Sequence, residues 1–307
     1  MFFRKLALLA KIETTYATDA VPTGAANAIL ARNVNVTPLE VEEEVRDIYQ
    51  PYLGNLGSIV TAFYGKIDYE VEIAGAGAAG TAPKYGPLLR SCGLAEVISA
   101  GVSATYTPVS SGFEAVSKHF YLDGVLHKFL GTRGSVSAGF SAKSVPMWKF
   151  SYVGLFQPVT DAALPTATYT GFVTPLAVSK ANTPTFTIHG IAAVMKSLSL
   201  DLANEVKYRN LVNYEGVDNV DRKPGGSLEI ESNLMAVKNW FDIARNKTAG
   251  ARNIIHGTTA GNIVQIQAPS VQINQPRYQE ADGIVMLNAG LTLQPSSGND
   301  EISIVVK

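Results

Sequence analysis

The segment Lys66-Ile67-Asp68-Tyr69-Glu70-Val71-Glu72-Ile73 alternates charged and apolar residues at every position. In an extended chain Ile67, Tyr69, Val71 and Ile73 share one face and Lys66, Asp68, Glu70 and Glu72 share the other, whereas a helix would scatter both sets around its circumference. The segment therefore reads as a strand with one buried and one wet face. The same period of two recurs in Ser197–Leu202, Ser227–Glu231 and Asn262–Gln267. An all-β fold is predicted. Helical spacing is confined to about Pro83 to Val97, carrying Leu88, Leu89 and Cys92, and about Leu234 to Arg245, carrying Val237, Trp240, Phe241 and Ala244.

Each helical segment follows a strong alternating strand, and the order of elements repeats. Asn33-Val34-Asn35-Val36 corresponds to Ser197-Leu198-Ser199-Leu200, and each leads through a long charged connection to the strand at Lys66–Ile73 or Ser227–Glu231. Late in each half, Ser135-Val136 corresponds to Ser270-Val271, and the segment from Gly154 to Pro158 to that from Gly290 to Pro295. A chain of 307 residues accommodates two domains of ordinary size. Two tandem related domains are predicted, 1–170 with a Thr-, Ala- and Pro-rich connector from about Val159 to Pro184, and 171–307.

Twenty-five basic and 26 acidic residues give a net charge of −1, too little positive field for a general nucleic-acid or anionic-membrane binder. No run of about 20 apolar residues marks a membrane span. The opening Met1–Ala10 resembles a secretory signal only superficially, because Lys11 and Glu13 follow at once; it reads as the start of the folded protein. The single cysteine, Cys92, allows no intramolecular disulfide and is expected at a buried helical position.

Chemistry is sparse. His119 and His127 flank a hairpin with Asp123-Gly124 at its turn, close enough to meet across it, but no nucleophile or acid pair accompanies them. His189 and His256 are isolated in sequence. Gly75-Ala76-Gly77-Ala78-Ala79-Gly80 has G-x-G-x-x-G spacing, yet the strand before it carries a charged face that the buried parallel strand of a dinucleotide fold cannot have. The acidic run from Glu40 to Asp47 lacks the spacing of a calcium loop. No catalytic, metal or cofactor site is expected, and the chain is read as a non-enzyme.

The segment Lys11-Ile12-Glu13-Thr14-Thr15-Tyr16-Ala17-Thr18-Asp19-Ala20-Val21-Pro22-Thr23 resembles the start of major tail tube proteins of long-tailed phages, in which K-x-E-x-x-Y-G-x-D-x-x-P recurs; Ala17 departs from it. Pro51–Asn55, Ala74–Pro83, Tyr85–Leu94 and Tyr106–Ser111 are also similar to that family. The resemblance implies a β-sandwich or barrel-like domain with a short flanking helix, whose subunits join sheets into rings around a channel, stacked into a tube that carries DNA and is assembled around a tape measure protein with other tail proteins, in the host cytoplasm. The family's usual ring has six β domains, so two per chain imply a homotrimer with pseudo-sixfold symmetry; a homohexamer is the alternative.

On that reading Asp68, Glu70, Glu72, Glu229 and Glu231 are expected to face the channel, where carboxylates repel phosphate. The connections from Glu40 to Val60 and Glu205 to Pro224, with Glu40, Glu42, Glu44, Tyr49, Tyr52 and Tyr214, are expected at contacts between subunits or rings. The competing readings are a lectin-like double β domain, which would need more exposed aromatics than Trp148 and Trp240 offer, and another phage tail protein such as a tail terminator.

Overall fold

The computed structural model describes Phe2 and residues 4–307; Met1 and Phe3 of the opening apolar stretch lie outside the described residues. In chain order the first half contains β1 (Leu6–Ile12), α1 (Gly24–Asn27), β2 (Ala28–Ile29), β3 (Arg32–Val45), β4 (Ser58–Glu72), α2 (Gly86–Arg90), β5 (Leu94–Ser99), β6 (Ser103–Pro108), β7 (Val116–Leu122), β8 (Val125–Ser141), β9 (Met147–Phe156) and β10 (Thr160–Asp161). The second half contains β11 (Thr185–Ile188), β12 (Ile191–Ala192), β13 (Met195–Asp201), β14 (Asn204–Leu211), β15 (Tyr214–Arg222), β16 (Gly225–Glu231), α3 (Trp240–Arg245), β17 (Ala249–His256), β18 (Val264–Ala281), β19 (Ile284–Gln294) and β20 (Ser303–Val306). The fold is all-β, as the alternation requires.

The alternating segment forms the inner part of β4. Ile67, Tyr69, Val71 and Ile73 are each 2% exposed or less, while Lys66, Asp68, Glu70 and Glu72 are half-buried on the opposite face. Tyr69 packs on Phe150 and Tyr152 of β9, with ring centroids 5.7 and 5.8 Å away. The Asp123-Gly124 turn closes the β7–β8 hairpin with positive φ at both residues, 39° and 106°, the backbone twist that a two-residue hairpin loop needs.

The antiparallel pairing order recurs in the two halves. The first runs β1-β7-β8-β9-β4-β3, and the second β11-β17-β18-β19-β16-β13. β2 and β12 pair with the first strand of each series, and β10 and β20 with the start of β8 and β18. The long β8 and β18 pair along their first part with β7 or β17 and along their later part with β9 or β19, with a register shift along each. β5 and β6 occur in the first half alone.

Val36 pairs with Ile67 and Leu200 with Gly226, so Glu70 and Glu229 occupy equivalent rows. Counting from those rows, Ser135 corresponds to Asn274 rather than Ser270, and Gly154 to Leu293 rather than Gly290. The Ser-Val and Gly-Leu matches of the two halves are thus out of register with their ladders.

Strand pairing and a loop contact bind the halves into one network. β13 lies against β8, β20 against β6, and the glycine loop after β4 meets the turn before β18. In that loop the Gly77 amide donates to the Gly261 carbonyl at 2.8 Å and the Gly75 amide to Asn262 Oδ1 at 2.8 Å. A Cβ on Gly75 would fall 2.1 Å from the Gly261 carbonyl oxygen, so the glycines serve close backbone approach rather than a dinucleotide.

Both helices are shorter than their sequence spacing suggested. α2 ends at Arg90 because Gly93, at φ 77°, turns the chain into β5, which takes the remainder of the Pro83–Val97 segment. Cys92 lies in that turn, fully buried, and burial pushes its thiol up to about 12. α3 starts at Trp240, capped by Asn239, whose side chain accepts from the Asp242 amide. Leu234 and Val237 stay exposed in the turn before it, outside the helical stripe.

Candidate assembly and channel surfaces

Asp68, Glu70 and Glu72 emerge from one face of β4, and Glu229 and Glu231 from the equivalent face of β16, because each alternates with residues that enter the core. The face is not bare of cations. Glu70 accepts from Arg32 Nε and Asn33 Nδ2, both at 2.9 Å, and lies 3.6 Å from Lys149 Nζ of the neighbouring strand. Partial burial works to raise the Glu70 pKa, but these donors outweigh it and hold the carboxyl below its ordinary value. Glu229 accepts from Lys196 Nζ at 2.8 Å and Ser197 Oγ at 3.3 Å. Sequence alternation located the carboxylates; their basic partners come from strands distant in sequence.

The expected loops turn out to be largely strands. Glu40, Glu42 and Glu44 lie in the outer part of β3, which pairs with the outer part of β4 as a two-stranded arm. The irregular tip spans 46–57 and holds Tyr49 and Leu53 with their side chains fully in solvent, and Tyr52 largely so. Lys66 Nζ meets Glu40 Oε1 at 3.1 Å near the base of the arm. The Glu205–Pro224 segment forms the ribbon β14–β15, the corresponding arm of the second half. Tyr214 starts β15 at its tip, and its hydroxyl donates to the Asp218 carboxylate.

The two arms differ in what they touch. The β14–β15 ribbon rests on the first half. Asn204 Nδ2 donates to the Cys92 and Gly134 carbonyls at 2.6 and 2.9 Å, Arg133 Nη1 reaches the Val217 carbonyl at 2.7 Å and Asp218 at 3.2 Å, and Tyr208 stacks on Tyr64 at 4.8 Å. The β3–β4 arm instead leaves Val45, Ile59, Val60 and Phe63 exposed. Sequence reading missed Arg133 and Asn204, isolated polar residues with no periodic signal.

The N-terminal segment acts as a clasp. Glu13 is buried and accepts from the Ala17 and Gly131 amides and the Ser117 hydroxyl, all at 2.8 Å. The Tyr16 hydroxyl accepts from the Val217 amide at 2.6 Å, so this turn holds the second-half arm. Asp19 lies 2.9 Å from His119 Nε2 and accepts from Lys128 Nζ at 3.0 Å. Ala17 has φ 59°, a left-handed conformation suited to glycine.

The chemically suggestive residues are absorbed structurally. His119 is opposite Lys128 and Phe120 opposite His127, so the two histidines project from opposite faces and do not meet. His189 and His256 bond the Val271 and Leu176 carbonyls. Among the described residues no group of three or more His, Cys, Asp or Glu side chains is placed to hold a metal. None of their helices is long and apolar enough to cross a membrane. The sequence reading passed over two buried cations, Lys118 on β7 and Arg252 on β17, which stand equally far from the closing pairs Leu122–Val125 and His256–Val264.

An all-β chain with a clasped N-terminus, paired arms and an outward charged sheet face matches the sequence model of one protein family, described as phage tail tube protein, over residues 4–299. The chain belongs to that family. A tail tube protein is a structural component of the virion tail, polymerising into stacked rings that form the hollow tube through which DNA passes. The match gives no support to the lectin-like or tail-terminator alternatives. The search of curated proteins returned no match for this tail tube protein.

Proposed function

We propose that three chains close each ring of the tube, with residues 1–170 and 171–307 acting as successive β units of a six-unit wall. The observation that carries this reading is the joint inside the chain, where β13 of the second half extends the sheet of the first by pairing along β8. A joint of that kind repeated around a ring leaves no free sheet edge. The recurring pairing order supports treating the halves as repeat units, and a trimer then has pseudo-sixfold symmetry.

In this assembly Asp68, Glu70, Glu72, Glu229 and Glu231 face the channel. Their ion pairs with Arg32, Lys149 and Lys196 mute the negative field without making it positive, which suits a wall that lets DNA slide. The arm tip with Tyr49 and Tyr52, the carboxylates Glu40, Glu42 and Glu44, and Tyr214 contact neighbouring subunits or rings. The tube forms around a tape measure protein in the host cytoplasm, and the chain works without catalysis or cofactor.

Electron microscopy of the purified chain tests the assembly, and the mass of an isolated ring tests its stoichiometry. Rings of three chains are expected, and rings of six chains would replace the trimer by the homohexamer.

A further inference from the structure

β13 is flanked on both sides. Ser197–Asp201 pair with Glu229–Gly225 of β16 and with Ser141–Ser137 of β8, and Leu198 and Leu200 are thereby 1% exposed. β3 holds the equivalent place in the first half, beside β4, but no strand among the described residues pairs with its other edge. β18 holds the place of β8, and its last stretch, Arg277–Ala281, pairs with β19 alone. The structure thus has one open edge of each kind that its internal joint brings together.

We propose that these edges are complementary, so that Asn33–Thr37 of one chain pairs antiparallel with Arg277–Ala281 of a second copy in the register set by the internal joint. The proposal rests on the ring-building reading above and specifies its interface. Inside the chain Asp201 faces Ser137 and Leu200 faces Ala138. Counting through the equivalent pairs Val36–Ile67 and Leu200–Gly226, which lie beyond the β3 register shift at 32–35, and the equivalent rows Glu70–Lys149–Ser137 and Glu229–Asn288–Arg277, Thr37 faces Arg277, Val36 faces Tyr278 and Asn35 faces Gln279.

Exposure and charge fit this occupant. Asn33 and Asn35 are exposed on one edge, and every residue from Arg277 to Glu280 on the other, with Tyr278 at 53%. A row of unpaired amides and carbonyls beside an exposed tyrosine is a template for a further strand. In this register Glu40 lies toward the Arg277 end of the receiving edge and Arg32 toward its Glu280 end, so opposite charges approach at both ends. Two different surfaces meet, so the contact is head-to-tail and propagates until the ring closes.

Paired cysteines read the register. V36C with Y278C in one chain should give a ladder of disulfide-linked multimers on a non-reducing gel, with little background from the buried Cys92. V36C chains mixed with Y278C chains should stop at dimers, and neither should link alone. Pairing V36C with E280C, displaced along the strand, should link several-fold more slowly. In the unaltered protein, amides of 33–37 and 277–281 should gain hydrogen-exchange protection on assembly. Tubes that form without that protection or that cross-link would overturn the interface while leaving the tube reading intact; absence of any ring or tube would overturn the tube reading itself.

Discussion

Lys118 puts an ionisable amine in the core, where it has no carboxylate partner among the described residues. Its side chain is fully buried, its ammonium donates to the Tyr69 hydroxyl, and it lies 3.0 Å from the Tyr152 ring centroid with no carboxylate among its hydrogen-bond or ion-pair partners. Burial drives its pKa well below the ordinary lysine value. Replacing buried ionic groups by apolar groups of similar volume is often neutral or stabilising by up to about 4 kcal/mol, and the hydrogen bond lost with Tyr69 offsets about 1 kcal/mol of that. Lys118→Met is therefore expected to leave the stability of the unassembled chain unchanged or raise it by up to about 3 kcal/mol at pH 7, measured by urea denaturation. The sign of the pH dependence follows from linkage. The folded state holds the lysine with a depressed pKa, so the unfolded chain binds more protons and stability rises as pH increases toward the unfolded lysine pKa of about 10.4. Its slope reaches about 1.4 kcal/mol per pH unit. The substitution should remove that contribution. A variant that is less stable at pH 7 and retains the slope would mean that Lys118 is charged in the fold and held by the tyrosine rings.

Ala17→Gly should stabilise the folded chain by about 0.5–1 kcal/mol in the same assay, because it relieves a left-handed alanine in the N-terminal clasp. Asn204→Ala should destabilise it by about 1–3 kcal/mol through loss of two carbonyl contacts, and should raise amide exchange in the β14–β15 ribbon ahead of global unfolding. Burial lowers the pKa values of His119, His127, His189 and His256. Their contribution is therefore intact above the unfolded value near 6.5 and declines as pH falls below it, by up to about 1.4 kcal/mol per pH unit for each; a stability profile flat from pH 7 to 5 would contradict this. Glu70→Lys with Glu229→Lys should leave tubes visible by electron microscopy while slowing DNA ejection. Failure to fold would instead mark these residues as structural.

The strands were legible where burial has a period of two. Ile67 to Ile73 and Leu198 to Leu202 sit as alternation demands, and Asp123-Gly124 is a turn for the backbone reason that made it recognisable. The arms were misread as loops because their charge density masked a short alternation: Asn204, Val206 and Tyr208 are half-buried while Glu205, Lys207 and Arg209 are exposed, and Leu39 and Val41 alternate with Glu40 and Glu42. The helices were overextended because Cys92 and Val237 fit a helical stripe locally, while Gly93 and the Asn239 cap set the limits. The carboxylates of the charged face were visible in sequence, but Lys149 and Lys196 reach them only through strand pairing. Lys118 and Arg252 were invisible as core residues because composition gives no warning that a cation will be buried.

The β8–β13 joint also changes the thermodynamics of building a wall. Association of separate molecules costs translational and rotational freedom at each step. Inside this chain one sheet-to-sheet contact forms as part of folding, at a local concentration fixed by the connector rather than by the supply of protein. In a ring of three such chains, alternate seams would be completed before any two molecules meet. Encounters in solution would then have to create only the remaining seams, and the onset of polymerisation would shift toward lower subunit concentration than a wall of six separate units requires.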